Sequence, residues 1–227
     1  MAKRAKSKTH FSPGVYLLGC FKPCDCGSFI LHNGNEAALL ELPPAWARRR
    51  PPWKVANTFL KKNKLNLRYL LVSHAHHDHL GGYYQYRRQF RTQPLVVHHS
   101  VIRRCRLYPG DLIFRHQIFE LSLDGEPLYI VHAPKHSWED MLIIFRGSAC
   151  TGDWTLGRYN DCNNIVPTEV KVETLLQVAS FLQSRNYVVH TLYSAHANDF
   201  RYNIDFQGML HEMARYWQSK GKRRRRN

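Results

Sequence analysis

Five residues able to bind a cation crowd one short stretch, His74-Ala75-His76-His77-Asp78-His79, which directly follows an apolar run at 67–72 that reads as a buried strand. His74 and His76 stand two apart. Extended backbone sends such side chains out on the same side, so the pair can grip one metal ion. If the chain turns into a helix after them, Asp78 and His79 are redirected, and one loop presents donors to two neighbouring ions. Gly81-Gly82 lets another stretch of backbone pass close by. Imidazole and carboxylate without thiolate suit zinc first, with manganese or ferrous iron as the other choices.

Three further donors occupy expected strand ends: His136 after Ala133-Pro134-Lys135, Asp153 in Thr151-Gly152-Asp153, and His196 in Ser194-Ala195-His196. A structural zinc site is closed by four ligands, whereas seven residues shared between two ions leave room for a reacting water. The excess of donors therefore points to catalysis. Histidine is abundant, 14 in 227 residues, but His77, His98, His99, His116, His132 and His190 read as ordinary polar positions.

The elements that must carry these donors can be read from periodicity and turn residues. Segments 14–19, 28–32 and 37–41 form a β-meander turning at Asn33-Gly34-Asn35. Pro43-Pro44 and Pro51-Pro52 bracket Arg48-Arg49-Arg50 in a loop, followed by a helix at 55–62 with Phe59 and Leu60 inward. After the 67–72 strand come a helix at 83–90, a strand at 94–98 and a short helix at 101–107. Strands follow at 117–123, 128–132, 141–145 and 187–193. The clearest helix covers 168–183, with Thr168 as its N-cap and Val172, Leu175, Leu176, Ala179 and Leu182 inward; a last helix covers 206–218.

With 44% apolar and 22% charged residues the chain can fill a core, which excludes wholesale disorder. We expect one domain at 11–219 between basic tails at 1–10 and 220–227. No apolar run approaches the roughly 18 residues needed to cross a bilayer, and no apolar segment follows the basic start, so a cytoplasmic protein without membrane contact is expected. Of the formal charge of +16, four units lie on Lys3, Arg4, Lys6 and Lys8 and six on Lys220, Lys222 and Arg223 to Arg226. Such ends can hold a nucleic-acid backbone or simply be solvated. Cys20, Cys24 and Cys26 cluster, but their spacing is not that of a zinc knuckle, and reduced thiols are expected at all six cysteines.

The order HxHxDH, lone His, Asp, last His resembles the metallo-β-lactamase superfamily, and the likeness runs from Gly14 to about Gln218. It implies an αββα sandwich with its metal site at the edge between two sheets. It also implies His74, His76 and His136 on one Zn2+, Asp78, His79 and His196 on the other, and Asp153 between them. β-Lactamases proper usually lack that aspartate, and diiron flavoproteins carry Glu where His76 stands. The pattern is most similar to glyoxalase II-like thioester and ester hydrolases, whose basic and aromatic residues after the bridging Asp hold an acidic substrate. Trp154, Arg158 and Tyr159 occupy that region here, although the gap is shorter, the helical substrate domain is truncated, and Trp154 could equally be core packing. The resemblance thus implies a small ester, thioester or lactone cleaved by a metal-bridging hydroxide, formed from a water that Asp78 orients and whose proton it takes up. The alternatives are a phosphodiesterase or nuclease using the same two ions, and a persulfide dioxygenase using one iron.

Overall fold

The computed structural model describes residues 10–46, 50–154 and 165–224. Arg158, Tyr159, Cys162 and the first nine residues lie outside the described residues. The first sheet has seven strands in chain order: β1 (His10–Ser12), β2 (Val15–Phe21), β3 (Cys26–Asn33), β4 (Glu36–Leu40), β5 (Asn66–Leu71), β6 (Leu95–His98) and β7 (Leu112–Phe114). Between them run α1 (Pro52–Lys62), α2 (His77–Leu80), α3 (Tyr83–Gln89) and a 3₁₀ turn, His99–Arg103. The second sheet holds β8 (Ile118–Leu123), β9 (Glu126–His132), β10 (Met141–Phe145), β11 (Ser148–Cys150), β12 (Thr191–Tyr193) and β13 (Phe200–Tyr202), in the spatial order 13-12-11-10-9-8. α4 (Thr168–Ser184) precedes β12 and α5 (Phe206–Arg224) follows β13.

Alternation along the second sheet fixes the layers. In β9, Leu128 and Ile130 join the core shared with the first sheet, whereas Tyr129 and Val131 face a second core built with α4 and α5. Met141, Ile143 and Phe145 of β10 repeat the first choice, and Leu142 and Ile144 the second. A strand with both faces apolar is one buried on both sides. Against the first sheet pack Ala56 and Leu60 of α1 and Tyr83 and Tyr86 of α3, with Phe59 edging Tyr16 of β2 at 5.3 Å between ring centroids. The result is the expected αββα sandwich.

Strand direction then decides where chemistry can collect. β4, β5, β6 and β7 are mutually parallel, so their C-terminal ends share one rim. In the second sheet β10 is antiparallel to both β9 and β11, and β11 is parallel to β12. The ends of β9, β11 and β12 therefore also emerge together.

Several sequence expectations need correction. α4 buries Lys171, Thr174, Leu175, Val178, Ala179, Phe181 and Leu182, while Leu176 is exposed. The inward face is rotated because Lys171 lays its ammonium 4.4 Å from the Trp217 ring centre, which lets a cationic side chain occupy a buried position. Pro167, not Thr168, is the N-cap, and Thr168 is already helical. The helix expected at 101–107 is the 3₁₀ turn, and the strand expected at 187–193 is only the three residues of β12. Three-residue strands β1, β7 and β13 went unpredicted because so short a run shows no period. α5 continues through Lys220 to Arg224, taking in residues expected to begin a tail; cations suit a helix C-terminus. No described helix is long and apolar enough to cross a membrane.

Candidate metal centre

The rim of the first sheet delivers His74 just past β5, and the chain there bends so that His76 is the N-cap of α2 and Asp78 and His79 lie within it. From the second sheet come His136 between β9 and β10, Asp153 after β11 and His196 after β12. Backbone hydrogen bonds lock these loops. The His79 carbonyl accepts from Leu42 N–H at 2.8 Å, and the Gly152 carbonyl accepts from Ala195 N–H at 2.9 Å. A Cβ on Gly82 would stand 2.5 Å from the Pro43 carbonyl oxygen, so the segment after β4 crosses α2 at a distance only glycine permits. Gly152, at φ +60°, makes the left-handed turn that aims Asp153.

All seven side chains meet. His74 Nε2 lies 2.9 Å and His136 Nε2 3.3 Å from His76 Nδ1, and Asp153 Oδ2 is 3.6 and 3.8 Å from His74 and His136. On the other side Asp78 Oδ2 is 3.3 and 3.5 Å from His79 Nε2 and His196 Nε2. Asp153 Oδ1 faces the same two nitrogens at 3.5 and 3.4 Å. Donor atoms of His74, His76, His136 and Asp153 all lie within 4.8 Å of one another, as do those of Asp78, His79 and His196. A tetrahedral zinc with bonds of about 2.05 Å spaces its ligand atoms roughly 3.4 Å apart, so both groups are the right size to hold a divalent cation.

The surroundings prepare the nitrogens. His79 presents Nδ1 to Glu41 Oε2 at 3.1 Å, which places the proton there and turns the Nε2 lone pair inward. His74 Nδ1 meets Ser73 Oγ at 3.0 Å, leaving its Nε2 likewise. Buried His79 Nε2 and Asp153 Oδ1 have no hydrogen-bond partner, the condition a metal would relieve. Burial, reinforced by His79, holds His74 well below the usual histidine range, and burial lowers His76 as well. Burial opposes ionisation of Asp78, but the His79 imidazole 3.3 Å away outweighs it and its pKa falls. Asp153 lies well below the carboxylate range because His196 and His79 overcome its burial. His79 is raised well above its ordinary value, Glu41 overcoming burial, and Asp153 raises His196.

Sequence reasoning missed the supports. Glu41, fully buried with φ +66°, spans His79 and the Ser73 N–H, which it accepts through Oε1 at 3.1 Å. Its signal was an acidic residue closing an apolar strand. Cys26 Sγ lies 3.6 Å from His79 Nδ1, and burial pushes its thiol up to about 12; Cys20 and Cys24 are exposed and join no donor group. Asp140 Oδ2 accepts from the backbone N–H of Lys135, His136 and Ser137 at 3.1, 2.6 and 3.0 Å, shaping the loop that holds His136. Trp154 donates its indole N–H to the same oxygen at 3.2 Å and is 3% exposed. It packs in the second core, so its ring is not a wall of the site.

Residues 22–141 match the family model described as the metallo-beta-lactamase superfamily. A lactamase-like protein, ptaB, of Pestalotiopsis fici is 26% identical over 182 residues, covering 72% of this chain and 49% of that protein. A second, nscB of Arthroderma gypseum, is 26% identical over 141 residues, covering 57% of this chain and 39% of its own length. The chain thus spans about half or less of these curated relatives. Among solved structures, a metallo-beta-lactamase from Pontibacter korlensis superposes with a TM-score of 0.66 at 14% identity, covering 90% of this chain and 97% of that one. A metallo-beta-lactamase family protein from Thermus thermophilus gives 0.61 at 15% identity, covering 91% and 80%. At such identities the likeness is one of fold.

Proposed function

Because the chain belongs to the metallo-β-lactamase superfamily, we propose that its centre holds two divalent cations, zinc first, and hydrolyses a small ester, thioester or lactone. The observation that carries this reading is the split of Asp153, whose Oδ2 addresses His74 and His136 while its Oδ1 addresses His79 and His196. One carboxylate facing two donor groups is what a bridging ligand requires. When bound, the cations supply Lewis acidity for a substrate oxygen and a more acidic water.

The chain's own residues do the rest. His74 and His76 stay neutral because burial disfavours their charge, keeping lone pairs available at neutral pH. Asp78 stays ionised, and its half-buried carboxylate is the group placed to orient the attacking water and accept its proton. His196, less buried than His74 and His79, stands on the solvent side of the centre, where a substrate would enter. Glu41 and Asp140 hold the donors from behind, through His79 and the backbone of His136.

Metal content and a substrate panel test the proposal together. Purified protein should carry close to two equivalents of zinc or manganese, and a thioester, ester or lactone should turn over in wild type but not in His76→Ala. One equivalent of iron would favour dioxygenase chemistry. Turnover of bis-nitrophenyl phosphate alone would reassign the centre to phosphodiesters, and turnover of a β-lactam alone to antibiotics.

A further inference from the structure

A cleft of about 220 Å³ is lined by Phe21, Lys22, Pro44, Trp46, Arg50, Pro51 and Pro52. At roughly 30 Å³ for each water in the liquid, this is room for about seven waters, or for one aromatic ring with a small polar group. Its walls continue elements that touch the candidate ligands. Phe21 pairs with Cys26, whose sulfur contacts His79, and neighbouring Cys20 directs its thiol to the His196 carbonyl at 3.9 Å. Pro44 stands two residues beyond Leu42, which is hydrogen-bonded to the His79 carbonyl. The segments that line the cleft are thus the same ones that contact His79 and the His196 carbonyl.

Its composition is selective. Lys22 and Arg50 are both cationic, the remaining lining is aromatic or proline, and among the described residues none of the lining is acidic. Asp25 does bind Lys22, at 2.5 Å, but both side chains are 53% exposed; such a pair is worth little and opens readily to another anion. Arg50 gives one N–H to Thr58 Oγ1 at 2.7 Å, and a guanidinium has five. Trp46 is 52% exposed, a large apolar face left in water beside two cations. Nothing in the hydrolytic chemistry uses these residues.

We propose that this cleft binds an aryl carboxylate, its ring against Trp46 and Phe21 and its charge between Lys22 and Arg50. Resting on the hydrolase reading, the cleft would hold the anionic aromatic end of the substrate while the scissile bond lies over the centre.

The test uses intrinsically fluorescent 2-naphthoate, titrated by anisotropy into the full-length protein, with neutral 2-naphthamide as the comparison. Naphthoate should bind at least ~10-fold tighter than the amide, since only it can pair with the two cations. Lys22→Ala with Arg50→Ala should erase that preference, and Trp46→Ala should weaken both ligands. Binding should persist in His76→Ala, where a carboxylate captured by the metal centre would be lost. Unchanged affinity in the double variant, or loss of binding in His76→Ala, overturns the proposal. Because this readout needs no turnover, a failed hydrolase reading shows up separately, as retained naphthoate binding without activity on any ester. If hydrolysis holds, the double variant should raise KM about 10-fold for an ester bearing an aryl carboxylate, leaving kcat and the uncharged ester unchanged.

Discussion

Replacing Glu41 tests whether the donors depend on support from behind. Its carboxylate accepts from two buried groups at once, His79 Nδ1 through Oε2 at 3.1 Å and Ser73 N–H through Oε1 at 3.1 Å. A glutamine has one acceptor oxygen and one donor nitrogen at those two places. If its oxygen takes the Ser73 N–H, its amide donates to His79 Nδ1 and forces the ring proton to Nε2, the atom aimed at Asp78 and Asp153. If it turns round, two donors collide at Ser73. Loss of such a partner typically costs 10- to 100-fold in metal affinity, which is about 1.4 to 2.7 kcal/mol. On the two-ion proposal, the loss should fall on the ion assigned to Asp78, His79 and His196. His74 is backed by Ser73 Oγ and the His136 loop by Asp140, so the other group should keep its ion. Chelator-competition titration of Glu41→Gln should resolve one wild-type equivalent and one weakened by ~10- to 100-fold, with an unchanged circular dichroism spectrum. Two equivalents of wild-type affinity would refute the reasoning, and equal weakening of both would show that Glu41 acts on the fold rather than on His79.

Asp153→Asn should weaken both ions together, because each carboxylate oxygen faces a different group of donors; metal analysis after dialysis should find well below one equivalent in total. Asp140→Ala strips the acceptor from three backbone N–H groups and the Trp154 indole, so urea unfolding should show a loss of about 3 kcal/mol or more. His98, 4% exposed, is lowered to about 4 by burial and then by His132, stacked on it at 3.5 Å. An unfolded histidine titrates near 6.5, so from pH 6.5 down to about 4 only the unfolded chain takes up this proton. The contribution is complete above pH 6.5, declines as pH falls and is gone below about 4. It amounts to roughly 2 to 3 kcal/mol at most, and His98→Asn should flatten the wild-type slope of stability against pH in that window.

Much of the centre was legible in one dimension because donor chemistry belongs to residue type and strand ends announce themselves by a change of pattern. His74 to His79 follow an apolar run too short for anything but a buried strand, and Asp153 and His196 end similar runs. β10 could be read to the residue because both its faces are apolar. The αββα layering, by contrast, rested on resemblance rather than on periodicity, since nothing in the spacing of β5, β9, β11 and β12 tells how two sheets face each other. Only strand direction across the sheets brings His136, Asp153 and His196 to one edge.

Tertiary structure alone decided what stands behind the donors and what is covered. Glu41 is 38 residues from His79 and looks like the polar end of a strand, yet becomes its hydrogen-bond partner because β4 and β5 run parallel and leave by the same rim. Trp154 beside Asp153 could have faced substrate, but the turn at Gly152 sends the aspartate into the centre and the indole into the second core. Lys171 reads as solvent-facing until Trp217, brought by α5, supplies a surface for its charge. A sequence specifies which groups can bind a cation or carry a proton. Which of them meet, and which partner sets the proton on each nitrogen, depends on contacts between segments far apart in the chain, and those exist only once the two sheets have closed on each other.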